Sequence, residues 1–76
     1  PNPTNNSFTV KYAMKTFSQS EIAVYDLFGK KVIETKLPKA EGTITINTSS
    51  LAPGVYYYSL VVNNQRATTK RLVISE

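Results

Sequence analysis

The chain contains no cysteine and no histidine. Without cysteine there is neither a disulfide framework nor a thiolate metal site, and without histidine the commonest metal ligand and general base is missing. Most enzyme classes are disfavoured at once, and neither a metal nor any other cofactor is expected. Acidic residues are scarce too, five against nine Lys and Arg, for a net charge of +4. The basic residues are scattered from Lys11 to Arg71, and their only adjacent pairs are Lys30-Lys31 and Lys70-Arg71. A nucleic-acid footprint needs cations clustered with aromatics on one face, so no nucleic-acid partner is expected. No apolar run is long enough to cross a bilayer, which argues against direct membrane insertion. The absence of cysteine suits an exported bacterial protein and a cytosolic one equally.

What remains is a chain of 76 residues, enough for one small domain that buries only about 60% of its unfolded surface. Pro1 to Asn6 is rich in Pro, Asn and Thr and reads as a linker entering a single domain that runs from Ser7 to Glu76. Opening at Pro1 without a methionine or a charged-then-apolar leader, the chain is expected to be a piece of a larger precursor. From Ser7 to Ala13 the residues Phe8, Val10 and Tyr12 alternate with Ser7, Thr9 and Lys11, the period of a half-buried strand. Lys15 to Ser20 is polar apart from Phe17 and is expected to be a loop that tucks this aromatic under the sheet.

Two further strands, Glu21 to Leu27 and Lys31 to Leu37, flank Asp26-Leu27-Phe28-Gly29-Lys30, where Gly29 supplies the positive φ of a type I turn with a bulge. Their inward set is Ile22, Val24 and either Val32 or Ile33, since apolar residues lie on both faces. Pro38 to Gly42 breaks the pattern, and Thr43 to Asn47 alternates again with Ile44 and Ile46 on one side. The strongest folding signal follows. Leu51-Ala52-Pro53-Gly54 is turn chemistry, Val55 to Val62 is β-branched and aromatic almost throughout, Asn63-Asn64 is a two-residue turn, and Arg66 to Ile74 returns. Tyr56, Tyr58, Leu60 and Val62 are assigned to the core because Ser59 interrupts the opposite set. In the return strand Thr68, Lys70, Leu72 and Ile74 share one face, with Arg71 and Val73 on the other.

Short strands with turn signals every eight to twelve residues, roughly, and no helical period define an all-β domain, an immunoglobulin-like antiparallel β-sandwich of about six to seven short strands. A small, partly open barrel is the alternative. The carboxylates Glu21, Asp26, Glu34, Glu41 and Glu76 sit in turns and on strand exteriors with no second partner implied, so surface charge balance is the expected role of each and no catalytic residue is assigned. Asn5-Asn6-Ser7 and Asn47-Thr48-Ser49 match the glycosylation tripeptide, a pattern so short that chance accounts for both.

Four stretches, in order, resemble a known family. They are Pro1-Asn2-Pro3, the hairpin from Val24 to Val32, the turn from Leu51 to Tyr56, and the terminal Lys70-Arg71-Leu72-Val73-Ile74. Together they span nearly the whole chain and resemble the C-terminal sorting domains of proteins exported by the type IX secretion system of Bacteroidetes. An aromatic often precedes the family's entry motif, and the run Tyr56-Tyr57-Tyr58 is heavier than the aliphatics common at that place.

The resemblance implies a non-catalytic address label. A covalently linked N-terminal cargo would be led through the periplasm to the type IX translocon and the outer-membrane surface, where a sortase usually cuts the label away. On this reading the translocon-recognition candidates are Pro53, Gly54, Tyr56, Lys70, Arg71, Leu72, Val73 and Ile74, while Gly29, Asn63 and Asn64 build turns. The last strand would offer an edge and a basic end to its receptor, and the same edge leaves an edge-strand dimer open. A rival of another class is a carbohydrate-binding or spacer module of a secreted glycosidase or adhesin, in which Tyr57 would stack on a sugar. Cross-strand packing is the more ordinary role for such a tyrosine.

Overall fold

The structure, a computed structural model, describes residues 6–14 and 19–75, and among these it forms six strands and no helix. The strands are β1 (Ser7–Ala13), β2 (Ser20–Tyr25), β3 (Lys31–Lys36), β4 (Glu41–Asn47), β5 (Gly54–Val62) and β6 (Gln65–Ile74). They make two antiparallel sheets, a four-stranded one in the order β3-β2-β5-β6 and a two-stranded one of β1 and β4. The expected sandwich is therefore formed, with two separate sheets rather than a partly open barrel. Phe17 and the linker residues Pro1 to Asn5 lie outside the described residues.

Strand ends moved where a partner or a turn overrode local chemistry. Leu27 leaves β2 because it is taken up in the following turn, and β3 ends at Lys36, one residue before Leu37. Glu41 and Gly42, read from sequence as a break, belong to β4 because Ala13 and Tyr12 of β1 pair with them. Backbone bonds beyond the strands extend the ladders: Thr48 N donates to Asn6 O at 2.7 Å, Met14 N to Ala40 O at 2.8 Å and Asn63 N to Gln19 O at 2.8 Å.

The turns follow their residues. Asn63 and Asn64 take φ of 52° and 67°, the left-handed pair required when two residues link twisted strands. Gly29 takes φ of 84°, and Gly29 N donates to Asp26 O at 3.0 Å. The register of β2 against β3 slips between Val24 and Tyr25, the bulge that such a turn brings with it.

Ile22, Val24, Leu72 and Ile74 of the large sheet and Phe8, Tyr12 and Ile46 of the small one are buried together with Leu37. Each side chain so removed from water contributes on the order of 1.5–3 kcal/mol. Tyr56, Tyr58 and Leu60 pack against this core as expected, while Val62 is half-buried at the strand end. The choice between Val32 and Ile33 dissolves: Ile33 pairs with Val24, Val32 falls in the bulge, and both pack on the core half-buried. Phe8 and Tyr58 join the two layers, ring centroids 5.0 Å apart and planes tilted by 55°.

Candidate recognition surface

Two strands cannot cover four, and the uncovered part is at β6. Its first seven residues, Gln65 to Arg71, are all exposed, whereas Leu72 and Ile74 are 1% and 2% exposed. Thr68 and Lys70 pair with Leu60 and Tyr58 and so point to the inner side of the sheet, yet they meet solvent. Arg71 pairs with Tyr57 and projects from the opposite side. The adjacent cations therefore do not act as one basic end, because alternation along a strand sends neighbours to different faces.

The other candidates from sequence converge on one end of β5 and β6. Gly54 pairs with Ile74, Val55 with Val73 and Tyr56 with Leu72, so Pro53, Gly54 and Tyr56 are spatial neighbours of the terminal motif. The Tyr56 hydroxyl donates to Ala52 O at 2.7 Å and ties strand to turn. Gly54 holds φ of 154°, a backbone that side-chain-bearing residues rarely adopt. Tyr56 is half-buried, Leu72 and Ile74 are core residues, and Val73 is half-buried; Pro53, Gly54, Lys70 and Arg71 are on the surface. The eight residues are thus contiguous but divide into those that hold the end together and those that can touch a partner.

Sequence reasoning missed two features beside them. At the β2–β3 turn, Leu27 is 64% and Phe28 is 96% exposed, and a shallow cleft of about 200 Å³ separates this tip from Pro53, Gly54, Val55 and Tyr56. The tip is rigid, since Asp26 Oδ1 accepts from Phe28 N and Lys30 N, both at 2.9 Å, and Asp26 N donates to Lys30 O at 2.9 Å. Two large apolar residues at positions where turns favour Gly, Asn, Asp or Ser were the signal that could have found it. The second feature is a groove of about 440 Å³ between the edge of β1 and the inner face of β5 and β6. It depends on which strands the small sheet lacks, which no local pattern records.

The outer face of the large sheet is closed over. Ala23 and Ser59, both 0% exposed, form its floor, with Ser59 Oγ and Thr69 Oγ1 hydrogen-bonded at 2.8 Å. Long side chains lie over them. The Arg66 guanidinium sits 4.3 Å from the centre of the Tyr25 ring, and Lys31 and Lys36 bridge Glu21 and Glu34 at 2.7–3.5 Å. The hydrogen bond from Lys31 holds the Glu34 carboxyl below its ordinary range, and the same bond raises the Lys31 ammonium. Tyr57 is 38% exposed on this face, but its cross-strand neighbour Tyr25 already has a ring face taken by Arg66. Among the described residues no group of three or more His, Cys, Asp or Glu could hold a metal ion.

Displayed strand edges, a rigid apolar tip and a groove, set on a small two-layer sandwich, are the features of a recognition module. The chain belongs to the family of secretion-system C-terminal sorting domains, whose family model matches residues 1–75. It is thus a sorting signal of the type IX secretion route, and the family places it on proteins exported to the cell surface or beyond. No curated protein and no solved structure matches it.

Proposed function

We propose that this domain is a non-catalytic signal that directs a covalently attached N-terminal cargo through the type IX translocon to the outer-membrane surface, where a sortase removes it. The translocon reads the end of the sandwich built from Pro53, Gly54, Tyr56 and Lys70 to Ile74. The observation that carries this reading is the division of β6: Leu72 and Ile74 anchor it in the core while the preceding residues, Lys70 and Arg71 included, stay exposed on an edge strand. A strand at the edge of a sheet is a template for a partner's main chain.

Fusing residues 1–76 to a periplasmic reporter in a host with the secretion system tests the proposal. The reporter is expected at the surface or in the medium, and retention in the periplasm contradicts the reading. Deleting the terminal motif is a poor second test, because loss of Leu72 and Ile74 removes core residues and failed export would then report unfolding. Charge reversal at Lys70 and Arg71 leaves the core intact and is the sharper probe.

A further inference from the structure

Among the described residues the small sheet is one strand short of covering the large one, and the open place beside β1 has the shape of a strand site. The strand β1 pairs with β4 on one side, and among the described residues no strand pairs with its other edge. Five consecutive residues, Thr9 to Ala13, line the groove of about 440 Å³ at this edge, inward and outward side chains alike, as happens when a strand turns its edge to a cavity. That edge is about 17 Å long. The floor is the inner face of β5 and β6: Tyr58 and Leu60, then Thr68 and Lys70.

Burial marks the vacancy. Val24 and Ile46, which do not line the groove, are 0% and 2% exposed. Val10, Tyr58 and Leu60 face the same interior but are only partly buried. Among the described residues no acid lines the groove, and two lysines do, Lys70 on its floor and Lys11 on its wall. Glu21 and Glu34 form ion pairs with Lys31 and Lys36 on the opposite face of the large sheet.

We infer that the groove takes an extended segment of a partner protein, added to the edge of β1 along Thr9 to Ala13 as a third strand of the small sheet and alternating apolar with acidic residues. Main-chain bonds to β1 supply affinity, and an apolar side chain entering the groove completes the burial of Tyr58 and Leu60. The outward acids share the face of Lys11 and form the cross-strand pair, while Lys70, exposed at the groove, favours the same acidic segment by its charge. This rests on the sorting reading only for the partner's identity, the export machinery. It assigns Lys70 to the groove and to β1, apart from Arg71.

The test uses the isolated domain and is independent of export. The probe is a blocked seven-residue peptide alternating valine and glutamate; the control alternates valine and lysine. Titration followed by amide NMR is expected to shift Thr9 to Ala13, Thr68 and Lys70 saturably and to slow amide exchange along β1. Lys11→Glu and Lys70→Glu together are expected to weaken binding roughly fivefold or more, with an unchanged melting temperature. The inference is overturned by no saturable shift up to about 1 mM peptide, by equal binding of the lysine peptide, or by shifts confined to the β3 edge. It is also overturned if sedimentation shows a second copy of the chain already seated on β1. A domain that exports its reporter yet fails this titration loses the groove assignment and keeps the sorting function.

Discussion

One strand, β6, contains two regions that behave as if they belonged to different proteins. Its last residues Leu72 and Ile74 are locked in the core opposite Tyr56 and Gly54, while Gln65 to Arg71 follow the same sheet in solvent. Both halves pair with β5, so hydrogen bonding does not distinguish them. What differs is the layer above. The two-stranded sheet reaches over one part and stops short of the other. Anchoring and display are thereby built into a single element, which is economical for a domain whose task is to be read.

The largest effect that could break this comparison is Leu72→Ala, expected to cost about 2–5 kcal/mol because it leaves a cavity among core side chains. Thr68→Ala in the exposed half is expected to stay within about 0.5 kcal/mol, both read by urea unfolding. Equal costs would mean that the halves do not differ. Next comes the turn that starts the exposed half. Asn63→Ala and Asn64→Ala each force a side chain without asparagine's local hydrogen bonding into left-handed backbone and are expected to lose about 1 kcal/mol apiece in the same measurement.

Arg66→Ala removes a cation from the Tyr25 ring and is expected to cost about 0.5–1 kcal/mol. The smallest effect is electrostatic. Glu34, with its pKa lowered from 4.5 by Lys31, adds stability that is present above pH 4.5 and fades as pH falls through the folded value. Lys31, raised from 10.5, adds stability that is full below pH 10.5 and fades as pH rises through its folded value. The melting temperature should therefore decline slightly at both extremes, and Glu34→Gln should flatten both limbs. This sharpens the contrast between the ion-paired outer face and the lysines of the groove, which have no ion pair among the described residues.

Much of the fold was legible because it is locally encoded. Alternation in Phe8, Val10 and Tyr12 and in Tyr56, Tyr58 and Leu60 assigned faces correctly, and Gly29 and Asn63-Asn64 announced their turns. What depends on distant partners was not legible. The bulge between Val24 and Tyr25 decides the roles of Val32 and Ile33, and β1 draws Glu41 and Gly42 into β4. The pairing of β5 with β6 was legible from the Asn63-Asn64 turn, and it is this antiparallel pairing that brings Gly54 to Ile74. The division of the candidate site into buried and displayed residues was not, because the number of strands in the covering sheet is a property of the whole chain. Motif reading also presented Lys70 and Arg71 as a pair, although strand alternation separates them. Leu27 and Phe28 were read within the Asp26–Lys30 turn, where the structure has them, but their exposure as an apolar tip was not read.

The most direct test of β6 as both anchor and display is export of the reporter fused to residues 1–76 carrying Lys70→Glu and Arg71→Glu, with melting measured on the same variant. Unchanged melting with lost export is the predicted result. Unchanged melting with normal export would contradict the account.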